Sequence, residues 1–140
     1  MLAVVCAVVI TGIGGLIGAL VATDDYEAQP SFAPPSWIFA PVWTALYVMM
    51  GVSLALLINR GDARVLYWFG AQLLLNYAWT PAFFGLQSPV LALVVILALL
   101  GALLVTLVKA WALSRLAAYL LIPYALWVCF AAVLNAAYVF

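Results

Sequence analysis

The chain has 140 residues, 71% hydrophobic and 6% charged, with four basic residues, four acids and no histidine. A soluble domain needs roughly 45–50% apolar and about 25% charged residues, so this composition cannot coat a water-facing surface, and disordered chains are poor in hydrophobics. Zero net charge with no basic cluster excludes the phosphate-facing surface of a nucleic-acid binder, which leaves an integral membrane protein.

A bilayer core of ~30 Å is crossed by about 20 apolar residues in a helix. The first such run is residues 2–22. It lacks the positive n-region and A-x-A site of a leader, and reads as a span. Within it Gly14 and Gly18 form a G-x-x-x-G pair, which lets helices approach closely, either at a dimer face or inside one bundle. Residues 23–37 then form the one long loop. It carries Asp24, Asp25 and Glu27, followed by Gln29-Pro30-Ser31-Phe32-Ala33-Pro34-Pro35-Ser36-Trp37. Prolines fix φ and restrict their predecessors, so a stiff, extended lid is expected.

The second span covers about residues 38–58 and ends at Asn59-Arg60-Gly61-Asp62. The third covers 65–84. Gly85-Leu86-Gln87-Ser88 leads into Pro89, the expected first helical residue of a fourth span over 89–108. The segment Lys109–Arg115 separates it from a fifth over 116–138. Residues 90–100 are continuously apolar, whereas membrane barrel strands alternate apolar and polar residues. The expected architecture is therefore all-α, one domain over 1–140 with five transmembrane helices. Pro41, Pro81 and Pro123 fall in or near spans and each removes a helix hydrogen bond.

All four basic residues, Arg60, Arg64, Lys109 and Arg115, fall on one side of such a bundle. The positive-inside rule then places the N-terminus in the cytoplasm, and Tyr67, Trp68 and Trp111 in an aromatic belt on that side. No ionisable acid or base lies within a span, which argues against ion pumps, proton relays and general-base catalysis. Without histidine and with few acids no metal site is expected. Cys6 and Cys129 read as small buried hydrophobes. Thr44, Ser53, Gln72, Asn76, Thr80, Thr106 and Asn135 are mild polar groups that can hydrogen-bond between helices.

Aromatic residues make up 14% of the chain, including six tryptophans. Counted from the acidic face, Trp43 and Thr80 lie ~8 Å deep and Trp127 ~13 Å. Trp43 and Tyr47 are spaced i, i+4; Asn76, Trp79, Thr80 and Phe83 follow i, i+3, i+4, i+7; Tyr124, Trp127 and Ala131 keep the same rhythm. Such convergence suits an aromatic-lined cavity for a small molecule. Ordinary aromatic packing or lipid contact fits it as well, and spacing alone leaves both open.

Three segments carry a family resemblance. They are Pro34-Pro35-Ser36-Trp37-Ile38-Phe39-Ala40-Pro41-Val42-Trp43-Thr44-Ala45-Leu46-Tyr47, then Asn76-Tyr77-Ala78-Trp79-Thr80-Pro81-Ala82-Phe83-Phe84-Gly85, then Pro123-Tyr124-Ala125-Leu126-Trp127 with Asn135. The chain resembles the TspO/MBR family, the tryptophan-rich sensory proteins that include the mitochondrial translocator protein, also called the peripheral benzodiazepine receptor. That resemblance implies a five-helix bundle, commonly a homodimer, which binds protoporphyrin IX-like porphyrins under its first loop. Some members also bind cholesterol or synthetic drugs. Trp43 and Trp127 match tryptophans that some bacterial members need for light-dependent porphyrin breakdown, and would be catalytic only if that reaction occurs. Thr80 matches a drug-contacting position, Ala131 a small residue whose enlargement alters ligand binding, and Tyr26 the first-loop tyrosine. The loop departs from the family pattern in offering Gln29-Pro30-Ser31-Phe32 in place of a Lys-Pro-Trp run.

The expected ligand-binding set is thus Tyr26, Pro35, Trp37, Phe39, Trp43, Tyr47, Asn76, Trp79, Thr80, Phe83, Tyr124, Trp127 and Ala131. No cofactor is required, and the porphyrin is a ligand. Its carboxylates would be met by the N-termini of the second and fourth helices and opposed by Asp24, Asp25 and Glu27, so a neutral ligand should bind better than a dicarboxylate of similar size. Three readings follow from the resemblance: a sensory or tetrapyrrole-handling binder, a transporter of porphyrin or sterol, and a light-dependent porphyrin-degrading enzyme. Five spans lack the inverted repeat of many secondary transporters. The expected location is a bacterial cell membrane, with lipid as a partner.

Overall fold

A computed structural model describes residues 2–21, 39–82, 86 and 88–139. They form α1 (Leu2–Val21), α2 (Phe39–Arg60), α3 (Ala63–Thr80), α4 (Pro89–Leu113) and α5 (Arg115–Val139), with no strand among the described residues. The protein is an all-α integral membrane bundle. Pro41–Arg60 of α2, all of α4 and all of α5 are long and apolar enough to cross a membrane. Over its 20 residues α1 carries no charge. The shorter α3, with 18 residues, includes Gln72 and Asn76, both buried against other helices.

Local chemistry sets the helix ends. Gly61 adopts φ 72° after α2, a left-handed conformation that glycine takes without a Cβ penalty. Asp62 caps α3, its Oδ1 accepting the Arg64 backbone N–H at 2.8 Å. Ser88 caps α4 by accepting the Leu91 N–H at 3.3 Å, with Pro89 in the first turn as expected.

The expected break over Lys109–Arg115 is instead helical. α4 runs to Leu113, and Ser114 alone separates it from α5. A lysine is a good helix former and its long stem carries the charge away from the backbone, so charge does not punctuate here. Ser114 does: its extended backbone ends α4, and its Oγ accepts the Ala117 N–H at 3.3 Å to start α5. Lys109 therefore lies inside a helix. Cys6 is buried, but Cys129 is exposed on the outer face of α5, because the inward positions beside it fall to Val128, Ala131 and Ala132.

Around the bundle, α1 packs on α2, α2 on α5, α5 on α4 and α4 on α3, with slight contact between α3 and α1. The α1–α2 seam is antiparallel and very close. A Cβ at Gly51 would lie 2.8 Å from the Ala7 Cβ and nearer still to the Ala7 backbone. A Cβ at Gly14 would lie 2.7 Å from Cζ of Tyr47. Gly14 thus serves packing within the bundle. No equivalent closeness joins α3 to α5: among the described residues, no Cα of one comes within 8 Å of a Cα of the other. The space between them is crossed by side chains.

Candidate functional site

Those crossing side chains form a connected floor. Tyr47 on α2 donates its hydroxyl proton to Asn76 Oδ1 on α3 at 2.8 Å. The Asn76 Nδ2 donates to the Tyr124 hydroxyl on α5 at 2.9 Å, and Tyr124 donates to Gln72 Oε1 at 2.8 Å. Gln72 Nε2 faces the Met50 sulfur at 4.0 Å. All five side chains are buried. Buried polar groups are costly unless paired. The pairing here explains how tyrosine, asparagine and glutamine sit at the centre of an apolar bundle.

One turn nearer the 22–38 segment lies an aromatic layer. The Trp43 ring is 5.5 Å from that of Tyr47, 6.3 Å from Tyr124 and 6.4 Å from Trp127 between centroids. The last two are edge-to-face, at 69° and 90°, a geometry worth ~0.5–1.5 kcal/mol per pair beyond area burial. Trp43 is therefore the hub of rings from α2 and α5. From α3, the Trp79 indole Nε1 donates to Asn135 Oδ1 at 2.9 Å, and Asn135 Nδ2 donates to the Pro89 carbonyl at 2.9 Å. This chain ties α3 to α5 and to the start of α4. Tyr77 points elsewhere, donating to the Ile10 carbonyl of α1 at 2.8 Å.

Trp43, Tyr47, Asn76 and Trp79 surround a small cavity closed on its far side by Ile96 and Leu99 of α4. Its volume is about 10 Å³, roughly the room one water molecule requires. Sites for drug-sized molecules measure ~300–1,000 Å³. The rings converge as the spacing suggests, and in this conformation they fill the hollow they define.

The sequence matches the TspO/MBR family over residues 2–140. The chain belongs to the TspO/MBR family. It is 38% identical over 141 residues to the tryptophan-rich protein TspO of Archaeoglobus fulgidus, covering 96% of this chain and 92% of that one. It is 42% identical over 112 residues to the tryptophan-rich protein TspO of Chlorobaculum tepidum, covering 76% and 71%. Against the human translocator protein it is 39% identical over 113 residues, covering 76% and 67%.

In this TspO/MBR protein the structure brings Trp43, Tyr47, Asn76, Trp79, Tyr124 and Trp127 into one cluster. Ala131 is buried one turn beyond Trp127 on α5. Phe39 is the first residue of α2 and Thr80 the last of α3. Tyr26, Pro35, Trp37, Phe83 and the proposed lid over 23–37 lie outside the described residues. The polar atoms of Asn76 and Tyr124 are spent on each other and on Tyr47 and Gln72, which makes these residues the floor of the cluster. Gln72 and Asn135, read from sequence as simple interhelical glue, are what hold Tyr124 and Trp79 in place. Ile96 and Leu99 give no signal in the apolar run of α4 before Thr106, and only the packing identifies them as walls.

Proposed function

We propose that this TspO/MBR protein binds protoporphyrin IX-like tetrapyrroles and other flat apolar ligands among the rings of α2, α3 and α5, in a sensory or tetrapyrrole-handling role. The observation that carries the reading is the Trp43 hub: three rings from α2 and α5 meet it directly above a hydrogen-bonded floor. Ring edges turned toward one another can rotate to offer faces to a planar guest. Because the hollow holds only about 10 Å³, binding must displace Trp43 and Trp79, and the population of that opened state lowers the apparent affinity. The floor stays in place, so polar groups of the ligand turn away from it, toward the N-terminal ends of α2 and α4, where helix dipoles favour negative charge.

Titrating protoporphyrin IX against the detergent-solubilised protein should give saturable quenching of tryptophan fluorescence. Trp127→Phe should weaken binding about twofold to twelvefold, from the loss of one stacking partner worth ~0.5–1.5 kcal/mol. Linear, unsaturable quenching in wild type would overturn the proposal. The dimethyl ester should bind more tightly than the diacid, since Asp24, Asp25 and Glu27 fall in the stretch of sequence that joins α1 to the N-terminus of α2. The human relative's name attaches translocation to that protein, and transport is the second reading here. Ligand flux into proteoliposomes separates it from binding. Light-dependent degradation would appear as absorbance loss under illumination that a Trp43→Phe, Trp127→Phe double variant abolishes. The same proposal includes a homodimer, an N-terminus in the cytoplasm and a bacterial cell membrane.

A further inference from the structure

The opposite end of the bundle holds a groove unrelated to the aromatic centre. Leu107, Val108 and Trp111 of α4 and Ile122 of α5 line a space of about 270 Å³ on the outer surface. Val108 and Trp111 are exposed there, at 73% and 44%. Arg115, Tyr119 and Ile122 are spaced i, i+4, i+7 along α5 and share a face. On α4 the lining runs about 6 Å, from Trp111 to Leu107, away from the tight Ser114 turn.

Its turn end is charged and held in place. The Arg115 guanidinium carbon lies 5.1 Å from the centre of the Trp111 ring, and Trp111 meets Tyr119 edge-on at 5.3 Å. Stacking restrains the guanidinium at the groove mouth and leaves its N–H edge for an oxygen anion. The first turn of α5 contains no acid, so its positive dipole end is unopposed. Among the described residues the only acid is Asp62, whose carboxylate already caps α3.

We propose that this hairpin is a site for one anionic phospholipid. An acyl chain lies in the groove past Leu107, Val108 and Ile122. The phosphate rests on Arg115, with Trp111 and Tyr119 at headgroup level. A net-negative headgroup is selected over a zwitterionic one because no protein carboxylate here balances the Arg115 cation.

The test uses the full chain in nanodiscs of mixed phosphatidylglycerol and phosphatidylcholine, with bromine placed on the acyl chains of one or the other. Quenching of the Trp111 signal is read as wild type minus Trp111→Phe. Brominated phosphatidylglycerol should quench that signal about fivefold more strongly than brominated phosphatidylcholine at equal mole fraction. Arg115→Gln should erase the preference, with helical content by circular dichroism confirming the fold. Arg60→Gln, which alters a basic residue on the other connection at this end, should leave it intact. Equal quenching by the two lipids in wild type overturns the proposal. So does a preference that survives Arg115→Gln, or one lost equally in Arg60→Gln, which would reflect general attraction of anionic lipid to this end of the protein.

Discussion

The α1–α2 seam and the centre between α2, α3 and α5 solve the same problem in opposite ways. Lipid tails are as apolar as leucine, so helices in a bilayer associate through close packing and hydrogen bonds, with little hydrophobic drive between them. At the seam, Gly51 lets the α2 backbone meet that of Ala7, and Gly14 admits the Tyr47 ring. At the centre the backbones of α3 and α5 stay apart, and tyrosine, asparagine, glutamine and tryptophan reach across. Where Gly51 meets Ala7, backbone abuts backbone, and neither can swing aside. The aromatic layer of the centre consists of side chains that can. A rigid seam beside a bridged centre allows the rings to part for a guest while the bundle stays assembled.

That contrast can be broken experimentally, and the largest effect should come from the seam. Gly51→Val pushes branched carbon atoms into the Ala7 backbone, which cannot yield, and should cost about 3 kcal/mol or more, read as a lowered melting temperature in detergent. Near-wild-type stability would mean that the seam is loose. Next comes the centre. Asn76→Leu leaves the Tyr47 and Tyr124 hydroxyls to find new partners and should cost about 2 kcal/mol, measured by denaturant unfolding. A cost no greater than that of Ser53→Ala, which removes a single bond to the Ala117 carbonyl worth ~0.6 kcal/mol, would show that the floor is dispensable. The smallest effects separate two glycines on α1. At Gly14 a methyl displaces only the far end of the Tyr47 ring, so Gly14→Ala should cost about 1 kcal/mol and alter the tryptophan emission of the centre. Gly12 has nothing within 4 Å, so Gly12→Ala should be neutral or add up to ~1 kcal/mol of helix propensity. Equal responses at the two positions would remove Gly14 from the seam.

Much of the fold was legible before any coordinates. The start of α4 at Pro89 followed from the proline's missing N–H, and the turn before α3 from Gly61-Asp62. The end of α4 was misplaced because Lys109 and Arg115 look like a break, while the residue that stops the helix is Ser114, a small polar residue with no charge. The aromatic cluster was legible in part: i, i+4 spacing put Trp43 with Tyr47, and Tyr124 beside the Trp127 face. Which partner each polar group takes was not. Nothing local to Asn76 says that its amide is used on both sides, since that depends on how far α5 stands from α3.

The sequence by itself determined a helical membrane protein, the number and order of its helices and the faces that carry rings. These are properties of single segments, set by the run length a bilayer demands and by the 3.6-residue period. Only the tertiary structure decided that the rings close on a water-sized space, that Tyr47, Asn76, Tyr124 and Gln72 satisfy one another, and that an apolar groove faces outward at the other end. Each of these depends on distances between helices. Those distances are short where glycine meets alanine and long where tyrosine meets asparagine.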